Sequence, residues 1–324
     1  MYGFQKHLTE HFPSQITIDV AQVCNLACIH CPHSSFVKSS AFSRAYLDEE
    51  IHKKFIDEVA TDGLGFCEYL RYTANGETLL HPKINLLLSY ACKHSKTKIN
   101  VTTNGMLLDA KKAQMLLECG VSVVDISIDA FLDETYAKIR KRGDLRVVRE
   151  NILYLLSLRE KTKSPLKLVV SFVEQPLNTN EVESFKKFWE ENGVDFVVIR
   201  KLHSAGGFKE NIKNKMQESL KEVKRTPCLY PWERLLLMPT GEVGYCPADW
   251  EHRGVLGDLR NTSLKEIWQG EKMQALREAH LSGDFSDFSF CAQCPDWMWC
   301  KWPQQKDKRN YADMMREIVP EDLL

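Results

Sequence analysis

The sequence predicts an α/β protein: a parallel sheet with helices outside it, followed by a small cysteine-rich unit. Three observations predict it. Strand-like and helix-like segments alternate about six times between residues 16 and 200. Three cysteines crowd one loop, Val23-Cys24-Asn25-Leu26-Ala27-Cys28-Ile29-His30-Cys31-Pro32. Five more return in the last hundred residues, at Cys228, Cys246, Cys291, Cys294 and Cys300.

Residues 16–21 alternate and are β-branched, so they read as a strand. The cysteine loop follows at its C-terminal end, where barrel sheets build their active sites. Residues 48–60 carry Ile51, Phe55, Ile56 and Val59 at helical spacing, with acidic residues leading as the helix dipole prefers. A second strand ends in Asn75-Gly76-Glu77, and residues 99–105 form a third strand ending in Thr-Asn-Gly at Asn104. A helix over 109–118 stops at Cys119-Gly120. Residues 121–129 are a fourth strand, 146–160 a helix, 167–173 a fifth strand, 180–192 a helix and 194–199 a sixth strand. No Gly-x-Gly-x-x-Gly follows the first strand, which excludes a dinucleotide fold.

Three thiolates on one loop hold three irons of a [4Fe-4S] cube and leave the fourth open for chemistry. Zinc, which wants four ligands, fits such a loop poorly. The loop resembles the signature of the radical S-adenosylmethionine (SAM) superfamily. The resemblance implies that SAM chelates the open iron and is cleaved to a 5′-deoxyadenosyl radical, which abstracts a substrate hydrogen atom. It implies a partial (β/α)6 TIM barrel over residues 16–205, after an N-terminal extension of 1–15. It also implies a SAM pocket. Asn75, Gly76 and Glu77 stand where the superfamily has Gly-Gly-Glu-Pro, with Glu77 on the SAM ammonium and Asn104 in the Thr-Asn-Gly turn nearby. Ser127 and Asp129 match a Ser-hydrophobic-Asp pattern near the SAM carboxylate and ribose. Arg140 matches the carboxylate-pairing arginine, with Arg142 and Arg146 as competitors. Each of these polar residues also reads as a surface group or cap.

After a linker and polar helix over 206–226, residues 235–246 read as a hairpin turning at Thr240-Gly241. A helix begins at Ser263, and Cys291-Ala292-Gln293-Cys294 follows. Residues 227–302 resemble the SPASM/twitch extension of radical SAM enzymes, with a tail at 303–324. That resemblance implies one auxiliary [4Fe-4S] cluster on Cys228, Cys246, Cys291 and Cys294. On spacing alone a zinc ribbon is the alternative. Cys300 has three readings: a substitute ligand, a thiol donating a hydrogen atom to the substrate, or an inert side chain. Trp297, Met298, Trp299 and Trp302 read as packing around a cluster. Cys67, Cys92 and Cys119 read as small buried hydrophobes.

Lys and Arg number 43 against 44 Asp and Glu, so nothing marks a nucleic-acid footprint. No apolar run is long enough for a membrane span, and the N-terminus has no signal core. A reducing cytoplasm is the expected compartment. The expected partners are a small-molecule or peptide substrate and a reductant such as flavodoxin or ferredoxin. The architecture resembles the inosamine dehydrogenase type of butirosin biosynthesis. This implies oxidation of a secondary alcohol of a sugar or cyclitol, with the auxiliary cluster as electron acceptor. Alternatives are a radical epimerase using a cysteine donor, a peptide-modifying enzyme, and a non-enzymatic iron–sulfur or zinc scaffold. About fifteen residues precede the first strand, which argues against a leader-binding module.

Overall fold

The structure, a computed structural model, describes residues 2–73, 75–305 and 311–318. The tail expected at 303–324 lies partly outside them. Six strands run parallel and pair in chain order: β1 Gln15–Ile18, β2 Tyr69–Tyr72, β3 Lys98–Thr103, β4 Val123–Ser127, β5 Lys167–Glu174 and β6 Phe196–Lys201. Helices α1 Glu49–Thr61, α2 Ile84–His94, α3 Ala110–Cys119, α4 Asp133–Ile139, α5 Leu145–Thr162 and α6 Val182–Glu191 return the chain between strands or close the last unit. This is the partial TIM barrel that the alternation and the loop resemblance imply. Local signals set the helix ends. The Asp48 carboxylate accepts from the Glu50 and Ile51 amides at 2.9 and 3.3 Å, and Asp109 caps α3 through Lys112 N–H at 2.8 Å. Gly120 closes α3 at φ 81°, a left-handed conformation that favours glycine.

Strand alternation sorts the side chains into two compartments. Ile16, Ile18, Leu70, Tyr72, Ile99, Val101, Val124, Ile126, Leu168 and Val170 belong to one large core under the helices. The alternate positions Tyr69, Val123 and Val169 pack with Met315, Phe196 and Val198 in a separate small cluster on the concave side. That cluster plugs the N-terminal end of the barrel.

The C-terminal segment extends the same sheet. Strand β7 Arg234–Leu237 pairs parallel to β1 on its other side, β8 Glu242–Gly244 pairs antiparallel to β7, and β9 Gly257–Asp258 closes the edge. Leu235, Leu237 and Val243 join the large core, which explains why the hairpin docks there. The polar helix expected in the linker is α7 Glu210–Ser219. The helix expected at Ser263 is α8 Leu264–Gln269, whose Ser263 and Glu266 form a reciprocal capping box.

Candidate active site

The loop after β1 carries Cys24, Cys28 and Cys31 as free, half-buried thiols. Two contacts shape it. Ala27–Cys28 pairs antiparallel with Arg140–Lys141, placing Cys28 opposite Arg140, and the Ile29 amide donates to the Ile139 carbonyl at 2.9 Å. Burial pushes Cys24 up to about 11 and Cys31 up to about 12. Burial raises Cys28 too, against the opposing pull of Arg140. Thiols held protonated by burial ionise when a metal takes their charge, and three on one loop fit the open-cornered cube. Among the described residues no three metal-binding side chains converge at single-ion distances. A cube takes one thiolate per iron corner and requires no such point.

Asn75-Gly76-Glu77 lies directly against this loop. The Glu77 amide donates to the Val23 carbonyl at 2.8 Å. A Cβ on Gly76 would fall 1.8 Å from the Ala21 carbonyl oxygen, so only glycine fits. The buried Glu77 carboxylate accepts from the Leu79 amide at 3.0 Å, the Thr103 hydroxyl at 2.6 Å and the Asn104 amide at 2.9 Å. Burial raises its pKa against those three donors. Asn104 reaches the cysteine loop through Nδ2 to the Asn25 side-chain oxygen at 2.8 Å. Three strand ends are thus sewn together through Glu77 and Asn104. Among the described residues the buried Asn75 Oδ1 has no hydrogen-bond partner.

Asp129 and Arg140 meet each other. The Arg140 guanidinium donates to Asp129 Oδ2 from Nε at 2.8 Å and from Nη2 at 2.6 Å, while the Val173 amide donates to Oδ1 at 2.7 Å. Both side chains are buried, and Asp129 sits at φ 64°. Arg140 therefore lies beside Cys28. Arg142 is exposed, and Arg146 pairs with Asp144 on the surface. Ser127 is half-buried at the end of β4.

The five C-terminal cysteines come together as free thiols. Cys228 Sγ lies 3.3 Å from Cys300 Sγ, and Cys246, Cys291 and Cys294 are electrostatic neighbours of this group. The Tyr245 hydroxyl lies 3.0 Å from Cys291 Sγ. Trp302 packs on Trp232 with ring centroids 5.2 Å apart and donates from Nε1 to the Pro227 carbonyl, beneath the thiols. Asp296 stitches the segment to the barrel, accepting from the Ser204 amide and hydroxyl and the Gly206 amide at 2.7–2.8 Å. Cys67 is buried, while Cys92 and Cys119 are half-buried on α2 and α3.

Sequence reasoning missed two groups. Asp19, just past β1, is buried and accepts from the Ala21 and Asn75 amides, and burial raises its carboxyl to about 8. The other is a polar layer across the barrel lumen. Asp125 accepts from the Arg200 guanidinium at 2.7 Å and from the Ser171 hydroxyl, and Arg71 approaches it to 3.8 Å. Both had a signal in the polar positions that alternate with apolar ones at Thr17, Asp19, Arg71, Asn100, Asp125, Ser171 and Arg200.

Residues 18–165 match the Radical SAM superfamily, and residues 228–295 match the SPASM iron–sulfur cluster-binding domain. The chain carries a Radical SAM domain followed by that auxiliary SPASM domain. The Radical SAM domain implies a [4Fe-4S] cluster and SAM as cofactors, and the SPASM domain implies auxiliary iron–sulfur clusters. The chain's relatives include the subtilosin biosynthesis protein AlbA of Bacillus subtilis (strain 168), 23% identical over 317 residues, covering 87% of this chain and 65% of that protein. Another is the GTP 3′,8-cyclase of Petrotoga mobilis, 32% identical over 170 residues, covering 52% of this chain and 50% of the cyclase. The chain thus spans about half to two thirds of the length of these relatives. In fold it resembles BtrN solved with AdoMet and 2-DOIA, at 18% identity and TM-score 0.60, covering 92% of this chain and 97% of that one. No helix among the described residues is long and apolar enough to cross a membrane.

Proposed function

We propose that this enzyme oxidises a secondary alcohol of a sugar or cyclitol-type substrate. Bound at their thiols, the cofactors supply a 5′-deoxyadenosyl radical to take the carbinol hydrogen and an auxiliary cluster to accept the second electron. The carrying observation is the gathering of five thiols from separate segments on a unit stitched to the barrel through Asp296. Cys24, Cys28 and Cys31 hold the SAM-binding cluster. Asn75, Gly76, Glu77, Asn104 and Ser127 form the SAM pocket, and Asp129 acts through Arg140, which it aims at the SAM carboxylate. Cys228, Cys246, Cys291 and Cys294 hold the auxiliary cluster. The contact with Cys228 favours Cys300 as a member of that cluster site over a hydrogen donor to substrate. A flavodoxin or ferredoxin supplies the reducing electron in a reducing cytoplasm. The AlbA match across 87% of the chain favours peptide modification as the second reading.

The test is turnover of a cyclitol and hexose panel by the reduced enzyme in D₂O, with the product read by mass spectrometry. Dehydrogenation gives a product two hydrogens lighter and consumes one SAM per product. A product of unchanged oxidation state carrying one deuterium would identify an epimerase and overturn the reading. Turnover of peptides alone would favour the second.

A further inference from the structure

We propose that Arg225 and Tyr245 set the reduction potential of the auxiliary cluster, Arg225 as its counter-cation and Tyr245 as a hydrogen-bond donor to the Cys291 sulfur. The proposal rests on the reading that the C-terminal thiols hold an iron–sulfur cluster. Arg225 precedes Cys228 in the chain and reaches across to the later cysteines. Its Nη2 donates to the Cys291 carbonyl at 2.7 Å and its Nη1 to the Ala292 carbonyl at 3.2 Å. The side chains whose charge it feels are Cys291, Cys294 and Cys228. The guanidinium carbon lies over the Phe285 ring, 4.1 Å from the centroid. Phe285 is met edge-on by His280, and His280 accepts from the Cys228 amide at 3.3 Å. The cation is thus fixed to the cysteine group through Cys291 and, by way of two rings, through Cys228.

What this cation lacks is an acid. Among the described residues no Asp or Glu forms an ion pair with Arg225, and its buried Nε has no hydrogen-bond partner. Arg234, which acts on Cys300, is the contrast, because it is paired with Glu233. The acids that act on Cys246 and Cys294, Asp249 and Asp296, accept from the amides of Gly254, Ser204 and Gly206 instead. A guanidinium taken from water without a counter-ion is unfavourable. The counter-ion arrives when the thiols become thiolates around a cluster, since four thiolates outweigh the charge of the iron–sulfur core. Tyr245 acts on the same cysteine. Its hydroxyl lies 3.0 Å from Cys291 Sγ, and against a thiolate only the tyrosine can donate. Its ring packs on Gly254, where a Cβ would fall 2.4 Å from Cε1. Reduction adds one negative charge to the cluster. A fixed cation and a donor to sulfur both favour the reduced form, so both raise the potential. A raised potential suits a cluster that accepts an electron.

The test is a reductive titration of the reconstituted holoenzyme with dithionite, followed by EPR with and without SAM. SAM alters the signal of the cluster with the open iron, so the signal indifferent to SAM reports the auxiliary site. Arg225→Gln should lower that midpoint by the equivalent of about tenfold in the reduction equilibrium, about 59 mV for one electron. Such a drop is the scale of one charge removed from a poorly solvated site. Arg225→Lys keeps the charge and should keep most of the wild-type midpoint. Tyr245→Phe should lower it by less than Arg225→Gln does. The SAM-responsive midpoint should stay unchanged in all three. An auxiliary midpoint unchanged in Arg225→Gln, with iron content intact, overturns the proposal and leaves the cluster reading standing. So does an equal drop in Arg225→Lys, which would mark a structural role. Zinc in the wild-type protein in place of the second cluster overturns both, and metal analysis tells the two failures apart. If Arg225→Gln fails to load the second cluster, Tyr245→Phe decides, and a wild-type midpoint there overturns the proposal.

Discussion

Two carboxyl groups near the strand ends illustrate how burial sets behaviour at single residues. Glu77 is buried but accepts three hydrogen bonds, so it is a hub of the loops besides its proposed role at the SAM ammonium. Glu77→Ala should weaken SAM binding by about ten- to a hundredfold. It should also lower stability by on the order of 1–3 kcal/mol, because the Leu79, Thr103 and Asn104 donors lose their acceptor. Glu77→Gln keeps the shape and separates the two effects. Calorimetry with SAM beside thermal unfolding checks this, and unchanged SAM affinity in both variants would place the pocket elsewhere. Asp19 makes a pH prediction. Its folded pKa is about 8, whereas an unfolded aspartate titrates near 3.9. Between those values the native state keeps a proton that the unfolded chain has released, so stability falls as pH rises through that window. The slope approaches about 1.4 kcal/mol per pH unit. Denaturant unfolding of wild type and Asp19→Asn at several pH values should show the slope only in the wild type. Parallel curves would mean that Asp19 ionises normally.

At the scale of elements, the cysteine loop is held by its neighbours more than by itself. It has only two residues in regular pairing, Ala27 and Cys28, and those pair with Arg140–Lys141 after α4. Gly76→Ala would drive a methyl into the Ala21 and Val23 carbonyls, which have no flexible side chain to give way. That substitution should abolish loading of the SAM-binding cluster while leaving auxiliary iron in place, as read by iron analysis and EPR. Retention of both clusters would show that the loop tolerates displacement. Asp129→Asn tests the other anchor. It leaves the Arg140 guanidinium buried without its counter-ion, and removing one partner of such a pair costs about 3–5 kcal/mol. Arg140→Met, which removes the charge, should be less damaging to stability yet as damaging to SAM affinity. Thermal melts with SAM titrations distinguish the two.

For the whole molecule, the shared sheet has consequences. Because β7 pairs with β1, the auxiliary segment and the strand leading to the cysteine loop are parts of one ladder. The two cluster sites should therefore lose structure together on unfolding, although each binds its own metal. Anaerobic reconstitution should give about eight irons and eight sulfides per chain, from two four-iron cubes. Changing Cys24, Cys28 and Cys31 together to alanine should leave about four. Zinc in the C-terminal site in place of iron would overturn the cluster assignment there.

The sequence by itself determined the class of fold and the cofactor chemistry. Period-two and period-3.6 patterns are local, and so are the caps at Asp48, Asp109 and Ser263 that start the helices. The cysteine spacing from Cys24 to Cys31 is a local ligand pattern as well. Tertiary structure decided the rest because those facts depend on contacts between distant residues. It placed Arg140 opposite Cys28 and paired it with Asp129, whereas Arg142 is exposed and Arg146 pairs with Asp144 at the surface. It brought Cys300 to Cys228 across 72 positions, where sequence offered three roles. It also joined Arg71, Asp125 and Arg200 inside the lumen. Their alternation was visible in three separate strands, but only the curvature of the sheet turns those faces toward one another.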